Sequence, residues 1–402
     1  MRQKSIVIRS QPDATFDHAG PSLAAEALGA ETRPSLTRLD IDEFTPAEAA
    51  RTSRHADVLA VAPELPTVLI EPMDAVESDF ELESQVATST WGVEAVGANS
   101  SPLDGSGIVA AVLDTGIDTS HPAFAGMNID EIDYSGDGNG DINGHGTHCA
   151  GTVFGQDVGG TRIGVARGIE RAMVAKVLGN SGSGSTLWSL QAIQWALNGG
   201  ANVISMSLGI DFPGYVRRLE DSGMPTELAV NLALEGYRAT IVAYQSLAAF
   251  TRSINNFGNS CVIVAAGGNE SKRNDNEDWE ISASLPSATS GILSVGALGK
   301  TSTGHRVASF SNTGVNVAAP GVGVLSARAG ASDLRSLNGT SMATPHVSGV
   351  ACLWSEWLLN REQLSPFNVE AKLAASATTE TMVSGFDSAD VGLGLVSAPE
   401  NA

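Results

Sequence analysis

Three short stretches carry side chains whose types suit nucleophilic catalysis. Asp114 ends the apolar run Ala110-Ala111-Val112-Leu113 and is followed by Thr115-Gly116, so a carboxylate stands at the end of a strand. α/β sheets place their sites at such ends. His145 follows Asn143-Gly144 and precedes Gly146-Thr147-His148-Cys149, where glycines lead into a helix of small residues. Ser341 lies in Asn338-Gly339-Thr340-Ser341-Met342-Ala343, at the start of a helix running through Val350 to Trp357. A hydroxyl there is close to unpaired backbone N–H groups and to the positive end of the helix dipole, which suits a developing oxyanion. A hydroxyl is a weak nucleophile and needs an adjacent base. The base in turn needs a carboxylate that fixes its tautomer and stabilises the imidazolium. Each stretch alone also has a plainer reading, Asp114 as a turn former and Ser341 as a helix cap. Two histidines three apart admit zinc as well, yet no Glu lies between them and the HExxH pattern is absent. His148 reads as a core histidine.

These groups need a frame. Apolar runs at 108–113, 172–177, 203–206, 262–266, 292–295 and 316–319 alternate with helical stretches, notably 186–197 and 228–247. Strands covered by helices on both faces look like this. Residues 90–402 are therefore expected to form a three-layer, doubly wound α/β domain with a mostly parallel sheet. Residues 1–73 read as a small α+β module with strands at 5–9, 58–61 and 67–70. Its helices are a short Ala-rich one at 21–28 and a second with Thr45 as cap and Pro46 at the first position. Residues 74–89 join the two. Asp74, Glu77, Asp79, Glu81 and Glu83 carry no basic neighbour, so this linker is expected to be solvated and extended.

Composition narrows the function classes. The chain has 402 residues, 42% of them hydrophobic, with 45 Asp+Glu against 23 Lys+Arg and a net charge of −22. That sign repels phosphate backbones and anionic lipid, so neither nucleic acid nor a membrane is an expected partner. The three cysteines, at 149, 261 and 352, lack metal-ligand spacing and read as free thiols. The basic start at Arg2 and Lys4 is followed by a short apolar run, which argues against a secretory signal and favours the cytosol.

Taken in order, Asp114-Thr115-Gly116, His145-Gly146-Thr147-His148 and Gly339-Thr340-Ser341-Met342-Ala343 resemble the three catalytic boxes of the subtilisin-type serine proteases, the subtilase family. A fourth stretch, Val262 to Glu270, resembles the family's oxyanion segment and assigns that role to Asn269. The resemblance implies a serine endopeptidase acting on proteins or peptides through an Asp114–His145–Ser341 triad, with no cofactor. It also implies an extended-substrate cleft between Ser207-Leu208-Gly209 and Gly182-Ser183-Gly184, with Ala265, Ala266 and Gly267 lining the specificity pocket near Ser284. The 1–73 module is similar in layout to a subtilase propeptide, an intramolecular inhibitor released by self-cleavage in the acidic linker or near Ala87-Thr88. A dedicated processing protease, or a silent binding protein on the same scaffold, are the alternatives. A monomer is expected. Structural calcium is implied by the family, but Ala123 follows His121-Pro122 where the family has a carboxylate, and 137–141, with oxygen side chains at alternate positions but no EF-hand Gly and distal Glu, reads as a turn leading to His145, with calcium the alternative. The segment 211–259 is longer than the family needs, and reads as a lid, an exosite or a packed surface helix. Cys149, one helical turn after His145, is expected beneath the imidazole.

Overall fold

A computed structural model describes residues 2–10, 37–74, 76–82, 88–253 and 260–401. The chain forms two compact units, Met1–Leu65 with Phe212–Phe250, and Pro66–Asp211 with Thr251–Ala402. The boundary expected at 73 thus falls at 65, and most of the extra 211–259 segment belongs with the N-terminal module. The helix expected at 21–28 lies outside the described residues.

The first unit holds an antiparallel sheet in the order β2-β1-β3, from β1 (Gln3–Ser10), β2 (Thr37–Phe44) and β3 (Val58–Pro63). Ile6, Val7 and Ile8 of the central strand are all buried, so both faces of β1 are covered. The helix Pro46–Thr52 starts with the expected cap: the Thr45 hydroxyl accepts from Glu48 N, and the Glu48 carboxylate accepts from Thr45 N at 2.8 Å. Two further helices, Phe212–Asp221 and Thr226–Ser253, share a small core of Leu219, Ala229 and Ala233.

The second unit is the α/β domain. Its main sheet runs β13-β12-β11-β9-β5-β7-β6, with β14 also on β12. The strands are β5 (Ala110–Asp114), β6 (Asn128–Asp133), β7 (Arg171–Lys176), β9 (Val203–Met206), β11 (Val262–Ala266), β12 (Leu293–Thr301), β13 (Gly304–Val307) and β14 (Val317–Pro320). Every pairing is parallel except β12 with β13. All residues of β5, β9 and β11 are buried, which is why those strands are uninterrupted apolar runs. A second, antiparallel ladder in the order β10-β4-β8 joins β4 (Pro66–Leu69), β8 (Ser183–Ser185) and β10 (Leu208–Ile210). The run at 67–70, expected as a strand of the small module, is therefore part of the larger unit.

The acidic stretch differs from its expectation too. Phe80 is buried, with the Arg306 guanidinium 5.0 Å from its ring. Asp79 pairs with Arg306 at 2.6 Å, and Glu77 accepts from Ser309 N at 2.8 Å. Cations and donors from more than 200 positions away offset the like-charge repulsion that local sequence suggests. Among the described residues no helix is long and apolar enough to cross a membrane.

Candidate active site

Asp114 closes β5 and is fully buried. Its Oδ1 accepts from its neighbour's Thr115 N at 2.8 Å and from His145 Nδ1 at 2.7 Å. His145 begins the helix His145–Phe154, whose cap residue Gly144 has φ 89°, a conformation that favours glycine. Gly146 is required for a different reason: a Cβ there would lie 2.2 Å from Gly116 O. The approach of these two backbones is what lets the imidazole reach Asp114. Thr115 Oγ1 accepts from Gly146 N at 2.9 Å and locks the pair.

Ser341 is the second residue of the buried helix Thr340–Leu359. Pro345 lies four residues on and has no N–H, so Ser341 O lacks its ordinary helical donor. Ser207 Oγ donates to that oxygen at 3.3 Å and Cys149 Sγ at 3.4 Å. Cys149 Sγ is also 3.7 Å from His145 Nδ1. The thiol, expected beneath the imidazole, is there, and it ties the helix that begins at His145 to the one that carries Ser341. Among the described residues His145 Nε2 is buried without a hydrogen-bond partner, as a base awaiting its substrate proton would be.

Burial is the largest single influence and disfavours the charged imidazole of His145, but the Asp114 carboxylate, its hydrogen bond and the Cys149 sulfur together outweigh it, and the ring is held well above its ordinary 6.5. His148 is the opposite case. Its Nε2 reaches the carbonyls of Val324 and Arg335 at 3.0 Å, and burial followed by the proximity of His145 lowers it to about 3. It is a neutral core histidine. The zinc alternative fails here, since His148 is held by those carbonyls and His145 Nδ1 already donates to Asp114.

Asn269 follows β11. Its Oδ1 accepts from Thr340 N and Thr340 Oγ1, both at 2.9 Å, which turns Nδ2 towards Glu71 O at 2.9 Å. That acceptor lies two residues beyond the end of the chain's own strand β4. Leu69, Val68 and Thr67 pair with Leu208, Gly209 and Ile210 on one side, while Val68 and Thr67 face Ser183 and Gly184 on the other. Leu69 N donates to Gly182 O at 2.8 Å. Both expected cleft edges are thus occupied by an extended segment, and Ser341 Oγ donates to Ile70 O at 3.2 Å. The Ile70 side chain is buried: a Cβ on Gly209 would lie 3.5 Å from Ile70 Cγ1 and 3.4 Å from Ser284 Oγ. Ala265 and Ala266 end β11, fully buried, and Gly267 O accepts from Ser284 N at 3.1 Å. Ile70 itself was not marked by any motif; its signal is an apolar run, Thr67 to Ile70, ending at Glu71-Pro72.

The 137–141 loop does not fit calcium. Asp141 is saturated, accepting from Thr115 Oγ1, Gly144 N, Thr147 N and Thr147 Oγ1 at 2.7–2.8 Å. The local cation is the buried Lys176, whose Nζ donates to Thr115 O at 2.8 Å, Gly140 O at 3.1 Å and Asn180 Oδ1 at 2.8 Å. Near His121, Asp157 is engaged by Arg167, with both oxygens at 3.0 Å. Replacing Lys176 by Met leaves three acceptors without a donor and is expected to cost about 2–4 kcal/mol of stability. A denaturant midpoint equal to that of the parent would refute this role.

A family model described as the subtilase family matches residues 105–394. The chain belongs to the subtilase family. M-protease of Shouchella clausii is 36% identical over 283 residues, covering 69% of this chain and 62% of that protein. The thermostable alkaline protease of Halalkalibacterium halodurans is 33% identical over 377 residues, 88% of each. The extracellular serine proteinase of a Thermus species is 34% identical over 300 residues, 70% of this chain and 61% of that protein. This subtilase spans about 62% of the length of M-protease and of two similar alkaline proteases. The cytosolic location expected from the chain's start is overturned by these relatives, one of which is named as extracellular. Three buried free thiols are no obstacle to that correction.

Proposed function

We propose that this subtilase is a serine endopeptidase for proteins or peptides, matured by cutting its own chain between Ile70 and Glu71. The observation that carries the reading is the Ile70 carbonyl hydrogen-bonded to Ser341 Oγ, directly after a strand, β4, that is paired on both sides. Main-chain pairing of that kind accepts many sequences, which suits a peptide substrate. In the reaction Ser341 Oγ attacks the carbonyl carbon as His145 Nε2 takes its proton. Asn269 Nδ2 and backbone N–H groups at the start of the Thr340–Leu359 helix receive the oxyanion. His145 then protonates the leaving amine, and water releases the acyl group by the reverse sequence. No cofactor enters, and calcium would be structural only, away from 137–141.

In the present seat the two donors engage consecutive carbonyls, Ser341 on Ile70 and Asn269 on Glu71. Such a strand holds the cleft without reacting: attack requires the Ile70 carbonyl to turn to Asn269 and free the hydroxyl. Segment 66–73 is thereby the inhibitory part of the N-terminal region, and the cut falls there rather than in the acidic stretch or at Ala87-Thr88 (Ala87 lies outside the described residues).

The raised His145 sets the pH dependence. The base must be neutral, so activity is expected to rise with pH through a midpoint above 6.5 and to persist into the alkaline range. The same pairing stabilises the fold fully below the unfolded value and is lost as pH rises through the raised one. A kcat/KM profile with its acid limb centred at or below 6.5 would contradict the assignment.

A further inference from the structure

We infer that the stretch after the cut, 71–82 (described at 71–74 and 76–82), is a built-in occupant of the leaving side of the cleft. The new N-terminus stays seated there once Ile70 and Glu71 are parted, and a substrate that extends past its scissile bond must displace it. The inference rests on the peptidase reading for the cut itself and on packing within the second unit for everything else.

The seat begins beside the nucleophile. Glu71 O accepts from Asn269 Nδ2 at 2.9 Å. Two residues on, Met73 is clamped through its backbone: its N–H donates to Asn338 O at 2.8 Å, and its carbonyl accepts from Asn338 Nδ2 at 2.7 Å. Asn338 Oδ1 accepts from Gly323 N at 2.7 Å, which orients the amide for that task. These bonds use only the backbone of Glu71 and Met73, so the leaving half of any peptide could take the same places. The chain's own stretch holds them first.

Its anchorage continues away from the cleft. Met73 and Val76 pack against the main core, and Phe80 belongs to it. A Cβ on Gly299 would lie 2.3 Å from Phe80 Cε1, so the ring lies on bare β12 backbone. Glu77 Oε1 accepts from Ser309 N at 2.8 Å, Asp79 pairs with Arg306 at 2.6 Å, and Glu81 N donates to Lys300 O at 2.8 Å.

Connectivity then decides what the cut changes. Every one of these contacts is made by residues after Ile70, so hydrolysis at that bond removes none of them. A cleaved peptide normally leaves by dilution. Here the leaving segment is part of the enzyme chain, fastened again at 77–81, and a ligand on so short a tether stays at about millimolar effective concentration. Residues on the acyl side of a substrate meet no such competitor; those past its scissile bond do.

Two measurements separate this claim from the peptidase reading. The first is hydrogen exchange of the Met73 and Glu81 amides. In the full-length Ser341→Ala chain both should exchange at least about a hundredfold slower than in a free peptide of the same sequence, and should stay as slow in the cut wild type. Joint replacement of Asp79→Lys and Phe80→Ala should speed both at least about tenfold, with β5 and β9 unchanged. The second uses two substrates with one acyl part, a p-nitroanilide and a peptide continuing three residues past the scissile bond. The double variant should raise kcat/KM for the longer substrate about tenfold relative to the anilide. Because the acyl part is shared, anything still bound on that side cancels in the ratio. A Met73 amide that exchanges after the cut as fast as in the free peptide, or a substrate ratio the double variant leaves unmoved, would overturn the seat. Should the wild-type chain never cut itself, the self-cleavage reading falls, while exchange in the Ser341→Ala chain still decides the seat.

Discussion

Replacing Ser341 with alanine is expected to lower kcat by about 10⁶-fold, the loss seen in subtilisin when its nucleophile is removed. The side chain is buried, and among the described residues its hydroxyl donates one hydrogen bond, to Ile70 O, so the change deletes the attacking atom and little else. The helix Thr340–Leu359 keeps Ser341 O bound by Ser207 and Cys149, because those contacts use the backbone. Stability should therefore be preserved. Labelling by a fluorophosphonate should disappear with activity. A variant that hydrolyses denatured protein at a tenth of the parent rate would remove Ser341 from the reaction.

Asn269→Ala is expected to cost about 10²–10³-fold in kcat with a small change in KM, since an oxyanion donor acts on charge that exists only in the transition state. The asparagine also accepts two hydrogen bonds from Thr340, so the alanine variant loses both functions. Asn269→Asp separates them. The carboxylate keeps both Thr340 bonds but presents an oxygen where the oxyanion forms, and its kcat should fall at least as far as that of the alanine variant. Recovery of activity in Asn269→Asp would make Asn269 a positioning residue for the serine helix.

The placement of Asp114 beside His145 was legible because each is announced by neighbours that solve a local backbone problem. Gly146 is needed where a Cβ would collide with Gly116 O, and Asp114 ends a strand buried on every side. The Thr45 cap was legible for the same reason, its partner Glu48 being three residues away. What was not legible depends on partners remote in the chain. Residues 67–70 have strand character, but nothing local tells that their ladder is with Leu208–Ile210 and Ser183–Ser185 instead of β1. The acidic stretch looks solvated until Arg306 and Ser309 are beside it. β2 alternates, yet Arg38, Asp40, Asp42 and Glu43 hide it as a strand. The pairing of Phe212–Phe250 with the N-terminal module is likewise a long-range fact, carried by Gly236 against Pro63 and Leu65.

The most direct test is intact mass, read on purified wild-type protein beside the Ser341→Ala chain after identical incubation. The wild type should appear as two products, one ending at Ile70 and the other beginning at Glu71, and the variant as a single uncut chain. Equal masses for the two proteins, or a wild-type cut that persists unchanged in the variant, would contradict a Ser341 hydroxyl acting on the strand it touches.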